Sequence, residues 1–144
     1  MDTIEKKQLG LELQELYLEN KGWLSDVLFM EDEIRFFRKL FDKVISLAIV
    51  EEKVKKLYPV TQHLESLDKK RETLKALIIK NQHLLESLIK DAKKVFSLEL
   101  VIENAEIVKN IRALFTEEKQ LRKDLYILAE EVFELEHKGH LLGE

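Results

Sequence analysis

The chain has 144 residues, 24 basic and 28 acidic, for a formal net charge of −4, with four glycines, one proline and no cysteine. Charged residues make up 36%, and Ala, Glu, Lys, Leu and Arg together supply over half of the chain, a composition of long helices. Disulfides, thiol chemistry and cysteine-based zinc sites are excluded, and a sheet protein is disfavoured because it would need regular turn residues.

The first predicted element is a short helix over residues 3–19. Ile4, Leu9, Leu13, Leu16 and Tyr17 fall at roughly helical spacing, and Asp2 with Glu5 forms a capping box. Asn20-Lys21-Gly22 reads as its stop, with Gly22 suited to a left-handed cap. A long helix over 24–57 follows, with Glu31, Asp32 and Glu33 near its start. Tyr58-Pro59 ends it, because the residue before proline avoids the helical region. The next helix covers 60–94, with Pro59 at its first turn, where the missing N–H costs nothing. After a break near Phe96-Ser97 the last helix covers 100–137, and 138–144 forms a tail. Short connections make neighbours antiparallel. The expected fold is all-α: an elongated antiparallel up-down-up bundle of three long helices plus a shorter N-terminal helix, four-helix-bundle-like, in a single domain.

Each long helix carries a seam stepping by three and four residues, the spacing of coiled-coil-like packing. These are Val27, Met30, Ile34, Phe37, Phe41, Val44 and Ala48; then Val60, Leu64, Leu67, Arg71, Leu74, Ile78, Asn81, Leu85 and Leu88; then the series from Leu100 through Asn104, Ile107, Ile111, Leu114, Glu118, Leu121, Leu125, Leu128 and Val132 to Leu135. Arg71, Asn81, Asn104 and Glu118 interrupt otherwise apolar seams. Folding the last two helices about residue 96 brings Arg71 within a turn of Glu118. The two are expected to form a partly buried ion pair that fixes register, since a lone seam charge penalises mispairing.

Two helices have apolar surface to spare. Phe29, Phe36, Leu40 and Leu47 form a second stripe on one, and Phe115, Tyr126 and Phe133 belong to a second stripe on the last. A helix apolar over more than one stripe must be covered on more than one side. The N-terminal segment would cover part of that surface as a fourth helix. The remainder exceeds what a monomer normally exposes, so a second copy is expected, as a dimer.

Chemistry finds no anchor. The acidic balance and the interleaving of Lys and Arg with Asp and Glu argue against nucleic acid as a partner. No apolar run approaches the length of a membrane span, the start has no signal-peptide pattern, and a cytoplasmic protein is expected. Gly-rich phosphate loops and nucleophile–histidine–acid sets are absent, so no enzymatic activity and no cofactor are expected. Glu134 and His137 make one Glu-x-x-His, with His140 one turn on. On these residues the alternative reading is a metal-binding bundle that resembles haemerythrin-like or ferritin-like architecture, whose ligand pattern needs more histidines or a second such motif. Trp23 reads as a plug over a bundle end or as an anchor for a partner. The favoured expectation is a non-enzymatic, self-associating helical module that acts as a protein–protein interaction or scaffold element through Phe29, Phe36, Leu40, Leu47, Phe115, Tyr126 and Phe133. Its further protein partner is not legible in the sequence.

Overall fold

The computed structural model describes the backbone of residues 2–47, 51–90 and 98–142, and the side chains of residues 10–47, 55–90 and 100–134. The fold is all-helical. Three helices pack against each other: α1 (Asp2–Leu47), α2 (Glu51–Lys90) and α3 (Leu98–Leu142). None of them is long and apolar enough, over the described residues, to cross a membrane.

The expected short N-terminal helix is not a separate element. α1 runs unbroken for 46 residues through Asn20, Lys21 and Gly22, and among the described residues no glycine has a positive φ. The physical reason lies in Asn20, which is fully buried and donates from Nδ2 to the Ile78 carbonyl at 3.0 Å. That buried bond holds the chain helical across the weak point, against a glycine cost of only ~1 kcal/mol. The N-terminal segment therefore does not form a fourth helix laid over the spare apolar stripe.

The second correction concerns Pro59. It sits inside α2 rather than ahead of it: α1 ends at Leu47, α2 begins at Glu51, and α2 runs through Tyr58-Pro59. Proline removes one intrahelical bond, here the one to the Lys55 carbonyl, and strains the turn before it. Leu57 and Val60, on either side, are buried, and that apolar burial holds the turn helical. Phe96 and Ser97, where the sequence predicts a break, lie outside the described residues; α2 ends at Lys90 and α3 begins at Leu98.

Every seam residue with a described side chain is buried, from Val27 to Val44, from Val60 to Leu88 and from Leu100 to Val132. Ala48 and Leu135 lie outside the described side chains. The chain divides into two compact units, Met1–Phe29 with Arg71–Ala113, and Met30–Lys70 with Leu114–Glu144.

In the first unit Leu13, Leu85, Leu88 and Leu100 form a core cluster, with Leu16 and Tyr17 packed against it. A polar layer sits within this unit, one asparagine from each helix. Asn81 Nδ2 donates to Asn20 Oδ1 at 2.9 Å and to Asn104 Oδ1 at 2.8 Å, and Asn104 Nδ2 donates to the Leu100 carbonyl at 2.9 Å. All three side chains are buried. As α1 numbers rise from Leu13 to Asn20, their α2 partners fall from Leu85 to Ile78.

In the second unit Met30, Ile34, Phe37, Phe41 and Val44 of α1 are buried with Leu64 and Leu67 of α2 and Leu121, Leu125, Leu128 and Val132 of α3. Its margins carry ion pairs between helices: Arg38–Asp68 and Lys70–Glu117, both at 2.7 Å, and Lys56–Glu131 at 3.5 Å. Exposed pairs of this kind contribute ~0–1 kcal/mol each.

Candidate interaction surface

The spare stripes remain accessible. On α1, Phe36 is 54% exposed and Leu40 and Leu47 are half-buried; on α3, Tyr126 is 43% exposed, Phe115 is exposed and Phe133 is half-buried. All six belong to the second unit. Phe29 is also exposed, but it belongs to the first unit.

Contacts between α1 and α3 align part of this set. Phe37, buried, meets Phe36 edge-on at 6.1 Å between ring centroids and Tyr126 edge-on at 6.5 Å. Lys43 Nζ lies 5.7 Å from the Phe133 ring centroid. Phe36 and Tyr126 thus flank one buried phenylalanine, and Phe133 lies near the α1 lysine one turn beyond Leu40. Such edge-on rings favour each other by ~0.5–1.5 kcal/mol beyond area burial. Ile127, beside Tyr126, is 56% exposed and was not among the residues the sequence pointed to.

Beside Phe37 lies a charged knot. Arg122 Nη2 donates to Glu33 at 2.6 Å and to Glu118 at 2.7 Å. Two carboxylates share one guanidinium, and Glu118 is only 3% exposed. Burial raises the Glu118 carboxyl first, and Glu33 adds to it, both by accepting a hydrogen bond from the protonated form and by its charge; Arg122 opposes them. The result is a pKa pushed up to about 7. Arg122 also lies 5.9 Å from the Phe37 ring centroid, tying the knot to the aromatic group. The sequence pattern singled out Glu118 but not its partner Arg122, which stands four residues after it.

Arg71, the expected partner of Glu118, is buried in the first unit and donates to Glu72 at 2.8 Å, whereas Glu118 belongs to the second. Both seam charges are buried as the pattern required.

For the metal reading, Glu134 is exposed on α3, and the side chains of His137 and His140 lie outside those described. Among the described residues no three histidines or carboxylates cluster as metal ligands would. A groove of about 380 Å³ lies between α2 and α3 in the second unit, with Pro59 and Ile127 on its walls and the Lys56–Glu131 pair across it. Trp23 is half-buried on α1, within the helix rather than ahead of it. No family model, no curated protein and no solved structure matches the chain.

Proposed function

We propose that the protein is a non-enzymatic, self-associating helical module, a scaffold or protein-interaction element whose three helices run up, down and up. The observation that carries the reading is the exposed aromatic strip of the second unit, Phe36 and Tyr126 about a buried Phe37. Large aromatic side chains held accessible on well-packed helices are the composition of an interface centre. The antiparallel order of helix partners within the first unit supports the up-down arrangement.

The test is Phe36→Asp. Phe36 is exposed, so the change leaves helicity, and the unfolding midpoint of dilute protein, close to those of the wild type, while self-association measured by sedimentation velocity falls at least tenfold. Loss of helicity would make Phe36 a core residue. Wild-type protein that stays at 17.0 kDa at high micromolar concentration would end the self-association reading.

A further inference from the structure

The outer face of α3 carries its charges in blocks. At about 100° per residue, Lys119, Lys123, Tyr126, Ile127, Glu130 and Glu134 fall within about 100° of arc on one side of the helix. All six are exposed, and all belong to the second unit. The order is blocked: two lysines one turn apart, two apolar residues, then two glutamates one turn apart. Like charges at i, i+4 repel, and a solvated helix face gains from alternating signs instead. Among the described residues none of the four charges takes part in an ion pair.

The blocks are symmetric about the midpoint between Tyr126 and Ile127. Lys123 precedes that point by as many residues as Glu130 follows it, and Lys119 and Glu134 match in the same way. A two-fold axis through this point and perpendicular to α3 maps each lysine onto a glutamate of the second copy. We infer that α3 pairs antiparallel with α3 of a second copy of this chain, centred on Tyr126 and Ile127. Lys123 then faces Glu130 of the partner subunit, and Lys119 faces Glu134 of the partner subunit. An isologous contact repeats each pair, giving four complementary pairs around an apolar centre, the polar rim and apolar middle of a specific interface. Parallel pairing of the two helices would instead set lysine on lysine and glutamate on glutamate. This inference rests on the self-association proposed above and names the surface that carries it.

The experiment is a charge-reversal set read by sedimentation velocity and native mass spectrometry, with circular dichroism to confirm that helicity is kept. Lys119→Glu with Lys123→Glu makes one face wholly acidic, and Glu130→Lys with Glu134→Lys makes one wholly basic. Each double variant alone weakens self-association at least tenfold. Mixed together, the two form a heterodimer more stable than either homodimer. The quadruple variant, with both blocks reversed in one chain, is again self-complementary and recovers wild-type dimerisation. Wild-type dimers that are indifferent to the double reversals, or a quadruple variant that fails to recover, would overturn the α3 pairing while leaving self-association standing. A wild-type chain that is monomeric throughout would remove both.

Discussion

Glu118 is the residue whose chemistry departs furthest from that of a solvated side chain. It sits in the seam of α3, 3% exposed, sharing the Arg122 Nη2 with Glu33. One guanidinium neutralises one carboxylate, so the knot is best balanced when Glu118 carries a proton. With its pKa pushed from 4.5 to about 7, the folded state binds that proton more tightly than the unfolded chain does. The associated stability is fully present below the unfolded value and is lost as pH rises through the folded one. Unfolding free energy is therefore expected to fall between about pH 5 and pH 7.5, by at most ~3 kcal/mol at ~1.4 kcal/mol per pKa unit. Glu118→Gln keeps a hydrogen-bonding group without the charge, so it flattens this dependence and raises stability at pH 8. Urea unfolding across the pH range measures both. A wild-type profile flat from pH 5 to 8 would mean that Glu118 is ionised in the fold.

α1 shows what a helix tolerates when its seam is continuous. Leu13, Asn20, Val27, Ile34 and Phe41 follow one another by sevens, and all five are buried. Gly22, two residues after Asn20, falls on the opposite side of the helix, exposed, and a methyl group built on it meets nothing within 4 Å. Gly22→Ala therefore adds helix propensity without a clash and is expected to stabilise the protein by ~0.5–1 kcal/mol, read from the urea midpoint. A destabilising outcome would argue that Gly22 adopts a non-helical conformation in solution. The seams of the three helices were legible in the sequence because apolar periodicity records burial directly. The end of the first element was not, because asparagine and glycine together resemble a stop in any local reading. What distinguished Asn20 was its place in the seven-residue line and the two seam asparagines, Asn81 and Asn104, waiting on the other helices. Pro59 misled for the same reason: local chemistry ends a helix there, and burial of Leu57 and Val60 carries it through. The candidate surface was legible as spare apolar stripes, while Ile127 and the α3 charge blocks were not, since their meaning depends on which face of α3 is left outside.

At the scale of the whole molecule, each helix spends one seam on the core, and α1 and α3 keep a second stripe that the core does not use. With the N-terminal segment continuous with α1, no fourth helix is laid along those stripes among the described residues. A second copy that binds only folded protein adds its binding free energy to stability by mass action, in proportion to the logarithm of concentration. Each tenfold rise in protein concentration then adds ~1.4 kcal/mol per mole of dimer, which lifts the thermal midpoint steadily with concentration. A monomer has no such slope. Scanning calorimetry from low to high micromolar protein separates the two, and Phe36→Asp supplies the internal control. Its midpoint is expected to be independent of concentration and to match that of the wild type extrapolated to dilution. If the wild-type midpoint is itself flat across that range, the aromatic strip is not occupied by a second copy under those conditions, and a different protein becomes the occupant to seek.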